Sequence, residues 1–393
     1  MSKNWEEKTL GEVCQNTSNI KWNDSLSNEY KYIDLSSVSR NNLNITDSVD
    51  ITKETAPSRA KKIIQINDII FATTRPTLKR LTIIPKEYDN QICSTGYVVL
   101  RPKQEIIESK YIYYFLRTDD FINLMESLQK GASYPAVSDK DVKNVLIKFP
   151  SLISTQKQIV EILDTAFEAL EKAKTNIETN LKNTKELFDS KLNEIFSQKG
   201  EGWEEDKIVN VCSILTCGVA STPKYVEKEV GVAFLSAQNV KNGEIILDKY
   251  RYISKELHNH LTKKNKPKKG DILYSRVGAK FGEAGVVEHD FEFSVYVSVT
   301  LIRPLSEKLN NYYLKYYLNS PIIKSLSNSS ITSSGVPNLN FNAVREFPVY
   351  YPSVTKQLEI VDKIKELESV SLNIINKYQQ KLDNLEELKK SLL

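Results

Sequence analysis

Two basic loops carry the most suggestive chemistry in this 393-residue sequence. Arg75-Pro76-Thr77-Leu78-Lys79-Arg80 follows the apolar run Asp68-Ile69-Ile70-Phe71-Ala72, and Arg276-Val277-Gly278-Ala279-Lys280 follows Asp271-Ile272-Leu273-Tyr274-Ser275. Guanidinium and ammonium groups just beyond a strand suit phosphate oxygens or the major-groove edge of guanine. An ordinary solvated loop has the same composition. Further along lie two Ser/Gly/Asn-rich stretches, Gly131-Ala132-Ser133-Tyr134-Pro135 and Ser333-Ser334-Gly335-Val336-Pro337-Asn338. Loops carry recognition more often than scaffold does. The candidate nucleic-acid contacts are therefore Arg75, Lys79, Arg80, Tyr134, Arg276, Lys280 and Asn338. The run Lys263-Lys264-Asn265-Lys266-Pro267-Lys268-Lys269 reads equally as a phosphate contact or a solvated turn.

Residues suited to catalysis are scarce. The 3 histidines, His258, His260 and His289, fall in one half only, and His258-Asn259-His260 resembles a nuclease motif by letters alone. The 4 cysteines make no Cys-x-x-Cys pair; Cys14 and Cys212 read as small buried residues. Gly278-Ala279-Lys280 lacks the spacing of a phosphate-binding loop, and there is no Gly-x-Gly-x-x-Gly or Asn/Asp-Pro-Pro-Tyr-like stretch. No catalytic, cofactor-binding or metal-binding residue is expected. Without a signal peptide, a long apolar span or a disulfide framework, the chain reads as cytoplasmic, with no membrane partner.

The elements that position these residues occur twice. Asn4-Trp5-Glu6-Glu7 with Val13-Cys14 returns as Gly202-Trp203-Glu204-Glu205 with Val211-Cys212, and Leu100-Arg101-Pro102 returns as Ile302-Arg303-Pro304. A near-constant shift along half the chain means one duplicated module. Composition divides it into globular 1–150, helical 151–199, globular 200–352 and helical 353–393. The globular parts read as α+β. Tyr111-Ile112-Tyr113-Tyr114-Phe115-Leu116 and Tyr312-Tyr313-Leu314-Lys315-Tyr316-Tyr317-Leu318 read as amphipathic helices, whose tyrosines pack a core or stack on bases. Lys and Arg outnumber Asp and Glu by 2 over 1–150 and by 4 over 203–352, while the helical parts are neutral or acidic. That asymmetry fits a polyanion on the globular parts and protein on the helices.

Both helical parts keep a 4-and-3 rhythm. It runs through Leu163, Phe167, Leu170, Lys174, Ile177, Leu181, Thr184, Phe188, Lys191 and Ile195. It returns in Ile360, Ile364, Leu367, Ser371, Ile374, Tyr378, Lys381, Leu385, Leu388 and Leu392. Spacing of 3.5 makes a coiled-coil seam. The expectation is an antiparallel pair projecting beyond the globular parts; the alternative is two separate amphipathic helices, each packed on its own domain. Pro150 and Pro352 close the preceding strands, and Ser154-Thr155 and Thr355 supply helix-capping hydroxyls.

In layout the chain resembles the specificity subunit of type I restriction–modification systems over essentially its whole length. Gln156-Lys157-Gln158-Ile159-Val160-Glu161-Ile162-Leu163-Asp164 is similar to that family's central helix entry, and Gln357-Leu358-Glu359-Ile360-Val361 to its distal counterpart. Gly270-Asp271-Ile272-Leu273-Tyr274-Ser275-Arg276-Val277-Gly278-Ala279-Lys280-Phe281-Gly282 resembles a segment of its target-recognition domains. Thr155 and Lys356 stand where the family often has an acidic residue.

The resemblance implies two similar target-recognition domains separated by two long helices in an antiparallel coiled coil. Each domain would read half of a split double-stranded DNA target, with the helices as a ruler. The helices, with Leu163, Phe167, Leu170, Ile177, Leu181, Ile364, Leu367, Ile374, Tyr378 and Leu385 as candidate spacer and docking residues, would bind two modification (methyltransferase) subunits. Those subunits would carry S-adenosylmethionine, none being bound by this chain, and a restriction (motor–nuclease) subunit would join them. Two other readings remain. A fused nuclease or methyltransferase would need a paired acidic or cofactor constellation, and a coiled-coil scaffold would not bind duplex DNA.

Overall fold

The computed structural model of the chain describes residues 4–24, 29–331 and 335–393; Ser333 and Ser334 of the second candidate loop lie outside them. Contacts divide the chain into two compact units, Met1–Ile177 with Gln380–Leu393, and Glu178–Gln379.

Asp68-Ile69-Ile70-Phe71-Ala72 shows no polar alternation because its strand is covered on both faces. The strand Ile69–Ala72 lies between Tyr97–Pro102 and Leu81–Ile83, antiparallel to both, with Cys14–Gln15 beyond Tyr97–Pro102. Ile69 and Phe71 face a core shared with Leu100 and with Ile112, Phe121 and Met125 of the helices Ser109–Phe115 and Asp119–Leu128. Ile70 and Ala72 face the opposite core, with Tyr97, Val99 and Ile33. A second sheet orders Val49–Ile51, Tyr30–Ile33, Gln91–Ser94 and Ala60–Ile64, its middle pair parallel.

The second unit repeats this plan. Its main sheet orders Cys212–Cys217, Val299–Pro304, Ile272–Ser275 and Ala284–Val286. A further sheet orders Arg251–Ser254, Gly231–Leu235 and Phe293–Val295, again with one parallel pair. Cys14 pairs with Pro102 as Cys212 pairs with Pro304, so the duplication holds at single-residue register. The tyrosines of the helix Asn311–Leu318 belong to the core: Tyr313 and Tyr317 are fully buried and donate to the carbonyls of Tyr350 (2.8 Å) and Pro348 (2.9 Å).

One ion pair braces the main sheet in each copy. Arg101 reaches Asp68 through Nε (2.9 Å) and Nη2 (2.8 Å), and Arg303 reaches Asp271 at 2.7 and 2.8 Å. Both carboxylates are buried. A two-pronged contact of this kind satisfies a carboxylate that burial would otherwise penalise.

The joint to each helix is also repeated, but the hydroxyl residues named above do not stand at its cap positions. The helices begin at Ile153 and Val354, which puts Ser154, Thr155 and Thr355 inside the first turn. Fully buried glutamines hold the joint instead. Gln156 donates to the carbonyls of Ile106 (3.0 Å) and Pro150 (2.7 Å) and accepts from the amide of Glu108 (2.8 Å). Gln357 donates to Lys308 (2.7 Å) and Pro352 (2.8 Å) and accepts from Asn310 (2.8 Å). Gln357→Ala strips three buried backbone groups of partners at about 1 kcal/mol each. The expected result is a loss of about 2–3 kcal/mol in urea unfolding of the second unit, and a loss below 0.5 kcal/mol (about the scatter of a surface change) would refute it.

The helices Ile153–Ser197 and Val354–Ser391 run antiparallel where they meet within a unit. In the first, Lys174 pairs with Glu386 (3.2 Å) and Lys389 with Glu171 (2.7 Å), so partners descend as residues ascend. Lys389 holds the Glu171 carboxyl below its ordinary range. Exposed pairs of this kind are worth under about 1 kcal/mol, so they select register more than they stabilise. Stability comes from Val160, Phe167 and Leu170 packed with Leu163, Leu385 and Leu392.

Two expectations change here. The helices are seated on the globular parts rather than projecting free of them. Phe167 stacks on Tyr114, Arg117 lies 4.3 Å from the Phe167 ring, and Phe196 of the second unit packs edge-on against Tyr313 and Tyr317. The seam is also phased differently at places. Lys191 points to solvent, pairing with Glu194, while Leu192 and Phe196 are buried. On the distal helix Ile364, Ser371, Tyr378, Leu385 and Leu392 lie on the covered side as expected. Leu367, Ile374, Lys381 and Leu388 are exposed, and the covered positions are Val361, Glu368, Ile375, Leu382 and Lys389. Adjacent apolar residues, Ile374 beside Ile375, let the rhythm start 4-3 or 3-4, and only the packed neighbours choose.

Candidate nucleic-acid interface

In each copy the two candidate loops meet at the end of the central strand. In the first, the amide of Val137 donates to Thr73 O (2.9 Å) and that of Arg75 to Pro135 O (2.7 Å). In the second, Leu339 donates to Arg276 O (2.8 Å) and Gly278 to Pro337 O (3.1 Å). The equivalence follows: Thr73 matches Arg276, and Arg75 matches Gly278. The two arginines that looked alike in sequence are two positions apart in structure.

Their side chains differ accordingly. Arg75 is exposed; its Nη2 donates to Ser133 O (3.2 Å), and its guanidinium lies 4.8 Å from the Tyr134 ring centroid. Tyr134 is 71% exposed. Arg276 is only 5% exposed, donates Nη1 to Leu339 O (2.9 Å) and Nη2 to Val297 O, and its pKa is lowered by burial. It ties the strand end to the second loop and is not placed to touch DNA. Its position directly follows a strand covered on both faces, so the side chain turns inward.

The other candidates divide. Arg80 donates to Leu35 O, a contact inside the domain, and Lys79 pairs with Asp119 at 3.0 Å. Lys280 and Asn338 are exposed, Asn338 bridging Val277 through backbone. In the lysine run, Lys263, Lys264, Lys268 and Lys269 are exposed, whereas Lys266 pairs with Glu292 at 2.6 Å. What links domain to helix is not visible among the candidate residues. Tyr114 donates to Asp164 (2.6 Å), which Lys110 also meets (2.6 Å), and Tyr316 donates to Glu368 (2.6 Å), 3.6 Å from the buried Lys315. Only the tyrosine, Tyr114 and Tyr316, recurs at an equivalent position; the lysine and the carboxylate stand at different places in the two copies, so repetition alone does not reveal the contact.

Burial pushes the Cys14 and Cys212 thiols up to about 12, which keeps them protonated and unreactive. His258 is buried with Nδ1 3.0 Å from Ser294 Oγ, and burial lowers its pKa. Among the described residues no three His, Cys, Asp or Glu side chains are grouped to hold a metal, and no helix is long and apolar enough to cross a membrane.

A module repeated to the residue, showing loops at its strand ends and fastened to paired helices, defines a two-part recognition protein. The model of the type I restriction modification DNA specificity domain matches residues 2–180 and again 200–384. The chain belongs to that family, and two copies of the domain make it a specificity subunit, the non-catalytic kind of component within type I restriction enzymes. It is 24% identical over 318 residues to the EcoBI specificity subunit of Escherichia coli, covering 74% of this chain and 66% of the relative. With the EcoKI specificity subunit of E. coli K12 it shares 26% over 322 residues, 77% of this chain and 68% of the relative. The chain thus spans about two thirds of the length of these relatives.

Two solved structures at 25% identity cover the whole chain. The HsdS subunit from Thermoanaerobacter tengcongensis superposes at TM-score 0.65 over 96% of its own length. A chain from a study of complex assembly and conformational transition in the type I R-M system superposes at 0.84 over 97%.

Proposed function

We propose that this chain is the address-reading component of a type I restriction–modification complex in the cytoplasm. Each globular domain reads one half of a split double-stranded DNA target through loops at the ends of Ile69–Ala72 and Ile272–Ser275. The paired helices set the unspecified gap between the halves. The observation that carries this reading is the repetition itself, with the same loop pair and the same buried glutamine joint in each copy.

The partners follow from the family and from one surface. On the distal helix Leu367, Val370 and Ile374 are 37%, 54% and 38% exposed, spaced 3 and 4 apart on one face. An apolar stripe of that spacing suits a partner helix. It fits docking of modification subunits, one per repeat, which would bring S-adenosylmethionine and act on a flipped adenine. A motor–nuclease subunit would complete the restricting complex. Adenine methylation mapped in host DNA with and without this gene is the test. A split motif modified only when the gene is present is expected, and unchanged modification would refute the reading.

A further inference from the structure

We propose that Arg75, braced by Tyr134, reads one guanine in the half-target of the first domain, and that the second domain has no counterpart to this contact. The proposal rests on the reading of the chain as a DNA-specificity subunit and names the side chain that does part of that work.

The first observation is the backbone. Arg75 is left-handed, with φ 52°, and its structural equivalent Gly278 has φ 104°. Lys79 (φ 51°) likewise matches Gly282 (φ 79°), because the amides of Ala72 and Ser275 bond Arg80 O and Glu283 O, each at 2.8 Å. Glycine adopts this conformation without penalty and L side chains do not. The second copy uses glycine at both turn positions, so the turn itself does not require arginine. An arginine kept where the fold favours glycine points to a use for its side chain.

The second observation is restraint. A surface arginine ordinarily samples many rotamers, and ordering it is unfavourable. Arg75 is held by its own amide on Pro135 O, by Nη2 on Ser133 O, and by the Tyr134 ring under its guanidinium. The plane of the fork is thereby fixed at an exposed tip. A phosphate contact needs charge but no fixed plane. The two acceptors of guanine in the major groove, O6 and N7, need both. No carboxylate among the described residues competes for this guanidinium, whereas Lys79 has Asp119.

The third observation is asymmetry. Val336 stands where Tyr134 stands, and Gly278 where Arg75 stands, so the second domain lacks both halves of the device. Its exposed Lys280 and Asn338 present different donors. The two half-targets must then differ at this step.

The test uses the chain co-purified with its modification subunits. Arg75→Gly suits the left-handed backbone and removes the fork, and Arg75→Lys keeps the charge without it. Methylated sites are mapped for each complex, and binding is titrated on duplexes changed one base pair at a time. Both variants should lose about 10- to 100-fold preference for guanine at one position of one half-site, with stringency at the other half unchanged. Unaltered stringency at every position would overturn the proposal. So would equal weakening on all duplexes, which assigns Arg75 to phosphate or loop support. A wild-type complex that leaves no split methylated motif would instead sink the specificity reading itself, a result the variants cannot imitate.

Discussion

Arg101→Met is expected to destabilise the first unit by about 3–5 kcal/mol, because it strands a buried carboxylate. Burial already holds the Asp68 pKa above its ordinary value, and the Arg101 hydrogen bonds only partly offset that. Removing the arginine lets it rise further. The sign of the pH dependence follows. A carboxyl whose folded pKa lies above its unfolded one stabilises fully below the unfolded value, and loses that contribution as pH rises through the folded value. The deficit of the variant should therefore be largest near pH 7–8 and shrink toward pH 4–5. Hydrogen exchange at residues 69–72 and 97–101 against urea would measure it; a deficit independent of pH would refute the account. Asp68→Asn combined with Arg101→Met should recover part of the loss, since a neutral amide is less costly to bury than a charge.

With the paired helices setting the gap as proposed, seven residues inserted after Leu181 and seven after Tyr378 should lengthen it by about 3 base pairs. One heptad adds about 10 Å of helix, and duplex DNA rises 3.4 Å per base pair. A whole heptad preserves seam phase, turning the helix face by only about 20°. Three base pairs turn the duplex by roughly 100° on a 10.5-base-pair repeat. The lengthened target should consequently be bound more weakly than the native one, while both half-sites stay unchanged in sequence. Methylation mapping reads gap and half-sites together. A gap that stays constant would show that something other than the helices sets it.

Much of the fold was legible because apolar runs and repeated marks are local. The strands at Ile69 and Ile272, the two tyrosine helices and the two long helices sit where the pattern puts them. What stayed hidden depended on neighbours. The distal seam was one residue out at Leu367 and Ile374, since Ile374 and Ile375 are equally apolar and only the facing helix decides between them. Arg276 reads as a surface cation until its strand is seen to be covered on both sides. The turn at Arg75 was invisible because only its glycine counterpart, Gly278, advertises a left-handed backbone. The ion pairs were half visible: Asp68, Asp271, Arg101 and Arg303 all recur, but nothing in one dimension says that they meet.

The first unit is assembled from two stretches far apart in the chain: Lys174 and Glu386 are 212 residues apart, and Glu171 and Lys389 are 218. During synthesis, the sides of Leu163, Phe167 and Leu170 that Leu385 and Leu392 cover must wait open while the whole second unit is made. Contacts of such long separation form late and leave sticky surface open to wrong partners. A nascent chain halted before residue 380 would present that uncovered stripe to chaperones, so residues 380–393 double as the latch that closes the first unit.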